Sequence, residues 1–380
     1  MNKLISTFNE QYDSLIESIT ELNGHFIIRT IDGRFFKFSH ESINLLKVLK
    51  SNIVVDEHLE NKFEFFINNV LLPKGLYQLK GTKKNFLPKN PKLTLHVELF
   101  STSFVTKICG LFMWMFSPFV IYSFVAISLL INIMYFWQHA HVFSYEYILS
   151  YTPLEVIFVL FLSIVTSLFH ELGHATCCKK LSGRAGDIGF GVNFFIPVFY
   201  ANVSNIHILS SNQKAAVAIS GIYFQLMLST SLIFLIPTFP EIEKYIVLNL
   251  IGIFLNSIPF FRNDGYWLLN DLLNKEDLLK ETLIRFKSFK RIQTIHTIYG
   301  LLIVMFFTVS ILIMFNFSIN TGPSIIIEIM NQQHFYFSSY LKAALIALHY
   351  LVITISLWLL LSNICKKLTK KFPPTQIKKA

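Results

Sequence analysis

The chain has 380 residues, of which 53% are hydrophobic, 39 are phenylalanine and only 15% are charged, and its mean hydropathy is +0.51. Soluble domains carry about a quarter charged residues, so a soluble globular protein is excluded and a multi-spanning membrane protein is expected. The net charge of +10 needs no nucleic acid, because most of it is expected from membrane topology.

The first twenty residues contain no apolar run, so no signal peptide is expected. Residues 1–100 mix short apolar patterns with charges and contain no span. His25–Thr30 reads as a strand, Asp32-Gly33 as a tight turn and Arg34–Phe38 as the returning strand. Ser39 can then cap a helix in which Ile43, Leu46 and Leu49 recur at helical spacing. A second helix is expected from Glu60 to Leu71, ended by Leu72-Pro73-Lys74-Gly75. These elements make a small winged-helix-like α+β domain, and Lys80–Lys92 forms a basic linker toward the membrane.

Six stretches approach the length of about 20 apolar residues that spans a bilayer core: roughly 110–137, 153–176, 215–237, 245–261, 297–317 and 342–363, the fourth being the shortest. When they alternate across the membrane, 31 of the 33 Lys and Arg residues fall on one side, Lys244 and Lys342 being the exceptions. The positive-inside rule then places both termini in the cytoplasm. The tail after residue 363 holds six of these lysines and suits an anionic inner leaflet. Cys109, Cys177, Cys178 and Cys365 all fall at cytoplasmic ends of spans, where thiols stay reduced. The Cys177-Cys178 pair reads as small apolar residues at a helix end rather than as metal ligands.

The second span carries His170-Glu171-Leu172-Gly173-His174 within an otherwise apolar run from Pro153 to Cys178. Histidines four residues apart share one helix face, so both can reach one Zn2+ ion, with the intervening glutamate as general base. Ionisable groups at this depth are costly and read as functional. The segment Gly183–Ser211 is too interrupted for a span and suits a strand hairpin or re-entrant loop beside the site. A catalytic zinc takes three protein ligands and one open position. Asp264, after the fourth span, is expected as the third, because both spans run inward and deliver their residues to the cytoplasmic side. Asn249 and Asn256, seven apart on one face of that span, are expected to line the cavity or to bond an extended substrate. Residues 265–292 read as a cytoplasmic amphipathic stretch. Gln225 reads as a packing residue, His139 and His141 as an interfacial loop, His349 as a hydrogen-bonded core histidine, and His207 as a neighbour of the cavity but not a ligand.

HELGH in one span, with Asn256-x-x-Pro259 and Asp264-Gly265 in another, resembles the site-2 protease family of intramembrane zinc metalloproteases, over about residues 153–275. The aromatic Tyr266-Trp267 after Asp-Gly, and Phe199-Tyr200 before it, are similar to the peptide zinc metalloproteases of bacterial peptide-modification clusters. The hairpin-and-helices unit is similar to PqqD-like domains that bind leader peptides. Arg262-Asn263 stand where the family pattern has Pro and Leu, which affects substrate shape near the metal rather than ligation.

The resemblance implies a three-helix catalytic core within residues 101–296, after a cytoplasmic substrate-recognition domain (1–100) and before C-terminal transmembrane helices and a basic tail (297–380). It implies a zinc endopeptidase of the bacterial plasma membrane. In it Glu171 is catalytic, His170, His174 and Asp264 hold the metal, and Asn256 and Pro259 contact substrate. For the last two, helix packing and a helix end or kink are the structural alternatives. The expected partners are a peptide or membrane-protein substrate, the lipid bilayer and a peptide exporter. A non-catalytic peptide-binding export or immunity factor is the competing function, but it has no need of Glu171. A transporter with a histidine proton relay is a third.

Overall fold

The computed structural model describes residues 12–22, 24–31, 33–50, 57–74, 76–77, 95–144, 147, 150–193, 196–287, 294–331, 337 and 339–351. The expected basic linker at 80–92, the basic tail and most of the expected sixth span lie outside these residues.

The amino-terminal part is an antiparallel meander of β1 (Ile16–Leu22), β2 (His25–Thr30) and β3 (Phe35–Phe38), in that order. β2 is central, with Ile28 opposite Ile19 on one side and Phe36 on the other. Gly33 makes the β2–β3 turn at φ 80°, a left-handed conformation that glycine adopts without a Cβ penalty. Ser39 Oγ accepts the Ser42 N–H at 3.3 Å and starts α1 (His40–Lys50), which buries Ile43, Leu46 and Leu49 on one face. α2 (Glu57–Phe66) continues through a π-helical turn at Ile67–Leu71. Phe63, Phe66 and Leu71 close a core against Ile28 and Phe38. β1 is an addition to the elements expected from the sequence.

β4 (Leu95–Phe100), β5 (Ile188–Asn193) and β6 (Ile196–Ala201) form a second antiparallel sheet with β5 in the middle. The hairpin expected between Gly183 and Ser211 is therefore β5–β6, and it recruits a strand from before the first membrane helix.

The remaining elements are helical: α3 (Thr102–Phe112), α4 (Pro118–Gln138), α5 (Pro153–Ser182), α6 (Ser211–Ile233), α7 (Ile242–Ser257), α8 (Asp264–Leu272), α9 (Leu278–Lys287) and α10 (Thr294–Asn316). α10 runs on through a π-helical turn at Phe317–Thr321 into Gly322–Met330. Among the described residues, four helical stretches are long and apolar enough to cross a membrane: α4, α5, α6 and the 37-residue stretch Thr294–Met330. Two differences from the sequence expectation have local causes. The stretch 110–137 breaks at Ser117, which is extended (ψ 141°) because the residue before a proline avoids helical geometry. α7 has 16 residues, short of the ~20 that cross a bilayer core.

The described residues fall into two compact units. The first draws on Met1–Asn132, Ser163–Leu232 and Asn249–Asp277; the second draws on Ile133–Leu162, Ile233–Leu248 and Leu278–Ala380. In the first, Met115, Tyr223, Phe224 and Met227 pack with Phe112, Phe116 and Phe169, and the Phe169 and Phe224 rings are 4.9 Å apart. Asn132 donates to Thr230 Oγ1 at 3.0 Å, joining α4 to α6 through buried groups. The amino-terminal sheet is tied to this unit through Glu17, which pairs with Arg29 at 2.9 Å and with Arg184. The ring of Phe35 lies 5.5 Å from that of His207.

In the second unit, Glu243 accepts from the hydroxyls of Tyr135 and Tyr147. Lys244, 7% exposed, pairs with Glu155 at 2.8 Å and donates to the Ser150 carbonyl. Its ammonium lies 5.0 and 5.3 Å from the ring centres of Tyr147 and Tyr151. Burial, then the bond to Glu243, holds the Tyr147 hydroxyl well above its usual pKa, so it stays a donor. His349 Nε2 is 2.9 Å from Ser318 Oγ, so this histidine is hydrogen-bonded as expected, though half-buried rather than in a core.

Candidate metal centre

α5 places His170 and His174 one turn apart on the same face, each 9% exposed. Their Nε2 atoms are 3.1 Å apart. The first residue of α8 completes the group: Asp264 Oδ2 is 2.9 Å from His170 Nε2, and Oδ1 is 3.4 Å from His174 Nε2. Among the described residues, this is the set of three His, Cys, Asp or Glu side chains whose ligand atoms converge, all within 4.8 Å of one another.

The backbone around the site makes this approach feasible. Asn263 Nδ2 donates to the Leu255 carbonyl at 2.9 Å and Asn256 Nδ2 donates to Asp264 Oδ2 at 3.1 Å, so the end of α7 sets both the chain and the carboxylate. A Cβ on Gly265 would run into the Ser257 carbonyl, which explains the glycine after Asp264. A Cβ on Gly221, in α6, would stand 2.6 Å from His170 Nε2 and closer still to that of His174. The helix facing the imidazoles can therefore carry no side chain at that position.

The donor set fits a divalent ion. His174 Nδ1 is 2.7 Å from the Val217 carbonyl, and His170 Nδ1 is 3.2 Å from Gln225 Oε1. Both partners are acceptors, so each Nδ1 carries the proton and each neutral ring turns its Nε2 lone pair toward Asp264. Three lone-pair donors thus face one another at 2.9–3.4 Å, close to the roughly 3.3 Å between neighbouring ligands on a tetrahedral zinc.

Glu171 lies beside this group. Its Oε2 accepts the N–H of Ala201, the last residue of β6, at 2.7 Å. Glu171, His174 and Asp264 border a cavity of about 1010 Å3 whose walls include Phe199 and Tyr200 of β6 and Leu22, Ile27 and Phe35 of the amino-terminal sheet. Lys214 and Asp271 also line it. Burial pushes the Asp271 carboxyl up to about 6, against the opposing charge of Lys214. His207, also on the wall, is lowered by burial and then by Lys214. Tyr200 is pushed up to about 12 by burial, then by Asp187 and Glu98.

Asn249, Asn256 and Pro259 do not border this cavity. Asn256 is engaged with Asp264, and Asn249 Oδ1 accepts from Gln225 Nε2 at 2.7 Å. Sequence reasoning missed the contact between Gln225 and His170, since an amide in mid-span equally suits helix packing. It also missed the main-chain N–H at Ala201, which no side-chain pattern reports.

Comparison with curated proteins finds similarity to "Putative peptide zinc metalloprotease protein YydH" of Bacillus subtilis (strain 168). The two are 23% identical over 227 residues, covering 57% of this chain and 83% of the relative. No protein-family model matches the chain, and no solved structure matches it.

Proposed function

We propose that the chain is a membrane-embedded zinc metalloendopeptidase that cuts a peptide precursor, leader or membrane segment near the cytoplasmic face. The observation that carries this reading is the convergence of two imidazole Nε2 atoms and one distant carboxylate, with a glutamate adjacent, at the wall of a large cavity. The similarity to a protein named as a peptide zinc metalloprotease supports the reaction class, and four apolar helices of spanning length support the membrane setting.

In this reading His170, His174 and Asp264 would hold the ion. Zinc, when bound, lowers the pKa of water to about 7 and polarises the scissile carbonyl. Glu171 takes the proton from the attacking water and returns it to the leaving amine. The Ala201 N–H occupies Oε2 of Glu171 and leaves Oε1 for the transfer. β6 is an edge strand whose Phe199 and Tyr200 line the cavity. A substrate lying extended along it would pair main chain to main chain and reach Glu171 with its peptide plane fixed. The amino-terminal sheet forms another part of the same wall and serves as the substrate-recognition surface, which keeps residues 1–100 as a functional domain.

The test is peptide release by full-length protein and by Glu171→Gln. The substitution is expected to slow cleavage about 10²–10⁴-fold, the usual contribution of a positioned general base, with zinc content retained. Undiminished cleavage by Glu171→Gln would eliminate the mechanism.

A further inference from the structure

The two imidazoles are oriented by different kinds of partner. His174 Nδ1 donates to a main-chain carbonyl, Val217, which cannot turn over. His170 Nδ1 donates to a side-chain amide, Gln225 Oε1, and an amide can. With its two ends exchanged, Gln225 would present N–H to Nδ1, and the His170 proton would move to Nε2, the atom that faces Asp264 and His174. The orientation seen is the one in which Gln225 Nε2 donates to Asn249 Oδ1 at 2.7 Å. Asn249 is itself 6% exposed, and its Nδ2 is buried without a hydrogen-bond partner. A carboxylate would be the stronger partner for His170, but a second negative charge at this depth costs several kcal/mol. An amide supplies the acceptor without charge and therefore needs another group to fix which end it presents.

We propose that Gln225 and Asn249 form a two-amide relay that sets the ring orientation of His170, with Gln225 the positioning residue for the metal centre and Asn249 the partner that holds the far end of its side chain. The relay rests on the zinc reading above. Its role is in metal affinity: it keeps the Nε2 lone pair aimed.

The unpartnered Asn249 Nδ2 makes the test specific. In Gln225→Glu both carboxylate oxygens accept, so His170 keeps its partner, and Asn249 can turn to supply its spare N–H. Gln225→Leu keeps bulk and removes the acceptor. Asn249→Leu keeps Gln225 but frees it to turn. The measurements are the zinc dissociation constant of full-length protein in detergent, by competition with a chromogenic chelator, and the visible spectrum of the cobalt-loaded protein. Thermal unfolding reports whether each variant is folded.

Gln225→Leu is expected to weaken zinc about 10–100-fold, the usual effect of losing an outer partner of a metal-bound histidine, and Gln225→Glu by less than about threefold. Asn249→Leu falls between them, and the cobalt spectrum changes with Gln225→Leu but not with Gln225→Glu. Zinc binding by Gln225→Leu equal to wild type, or loss in Gln225→Glu as large as in Gln225→Leu, overturns the relay. If Gln225→Leu does not fold, the other two decide: weaker zinc in Gln225→Glu than in Asn249→Leu overturns it. Failure of the wild-type protein to bind zinc overturns the metal reading and the relay with it. A wild type that binds zinc beside an equally competent Gln225→Leu overturns the relay alone.

Discussion

The cluster around Lys244 and the cluster around His170 both place ionisable side chains in apolar surroundings, but their internal accounts differ. Lys244 has a carboxylate, a carbonyl and two aromatic faces, and Glu243 has two hydroxyl donors. Around His170, three lone-pair donors point at one another, and the proton of each ring is already used on its far side. A satisfied buried network fixes the helices that contribute to it. A group of converging bases beside a cavity asks for a cation. The difference between structure and function is therefore visible in what each group still lacks, not in burial or charge as such.

The contrast is sharpest when one partner is removed from each cluster. Asp264→Asn is expected to weaken zinc by more than the ~10–100-fold typical of an outer partner, measured by metal content after dialysis. Lys244→Met should leave zinc content unchanged and cost about 1–3 kcal/mol of stability, because half-buried Glu155 loses its cation. Thermal unfolding of the purified protein reports it. A Lys244→Met protein that loses zinc and keeps its stability would reverse the assignment of the two clusters. Gly221→Ala comes next. Its new methyl occupies the space of the imidazole nitrogens, so zinc content should fall while helix content by circular dichroism stays near wild type.

The smallest effect concerns Asp271. Its carboxyl is raised from the usual 3.8 to about 6 by burial, so whatever stability depends on its neutral form is fully present below pH ~4 and is lost as pH rises through 6. Asn at this position carries no such dependence. Asp271→Asn should therefore match wild type near pH 4 and exceed it by about 1–2 kcal/mol above pH 6, after allowance for solvent screening. Melting temperatures across that range check the sign.

The convergence of His170, His174 and Asp264 was legible in the sequence because each has a covalent or topological marker. His170 and His174 are one helical turn apart, and Asp264 follows an apolar run that the distribution of lysines and arginines directs to the same side. The hairpin at 25–38 and the helix after Ser39 were legible from turn and capping residues. β1 was not: among its alternating residues only Ile16 is fully buried, so its periodicity is faint. β4 was not either, since its partner strand lies some ninety residues away and nothing local announces the pairing. Gln225 and Asn249 escaped for a related reason. An amide in an apolar helix is ambiguous until its neighbour across the helix pair is known. For Asn256 the sequence leaves substrate contact and helix packing open; its amide donates to Asp264 Oδ2, a contact that no local pattern announces.

The longest apolar helical stretch among the described residues raises a matter of fit. Its 37 residues, Thr294–Met330, make a rod of about 55 Å at 1.5 Å per residue, against roughly 30 Å of hydrocarbon. Even a 40° tilt takes up only about 40 Å. Held across a bilayer, the rod must emerge or bend. The π-helical turn at Phe317–Thr321, two residues before Pro323 withdraws an N–H from the ladder, marks where the angle can change. The distal segment would then lie along the headgroups, so that membrane thickness decides how much of this helix is upright.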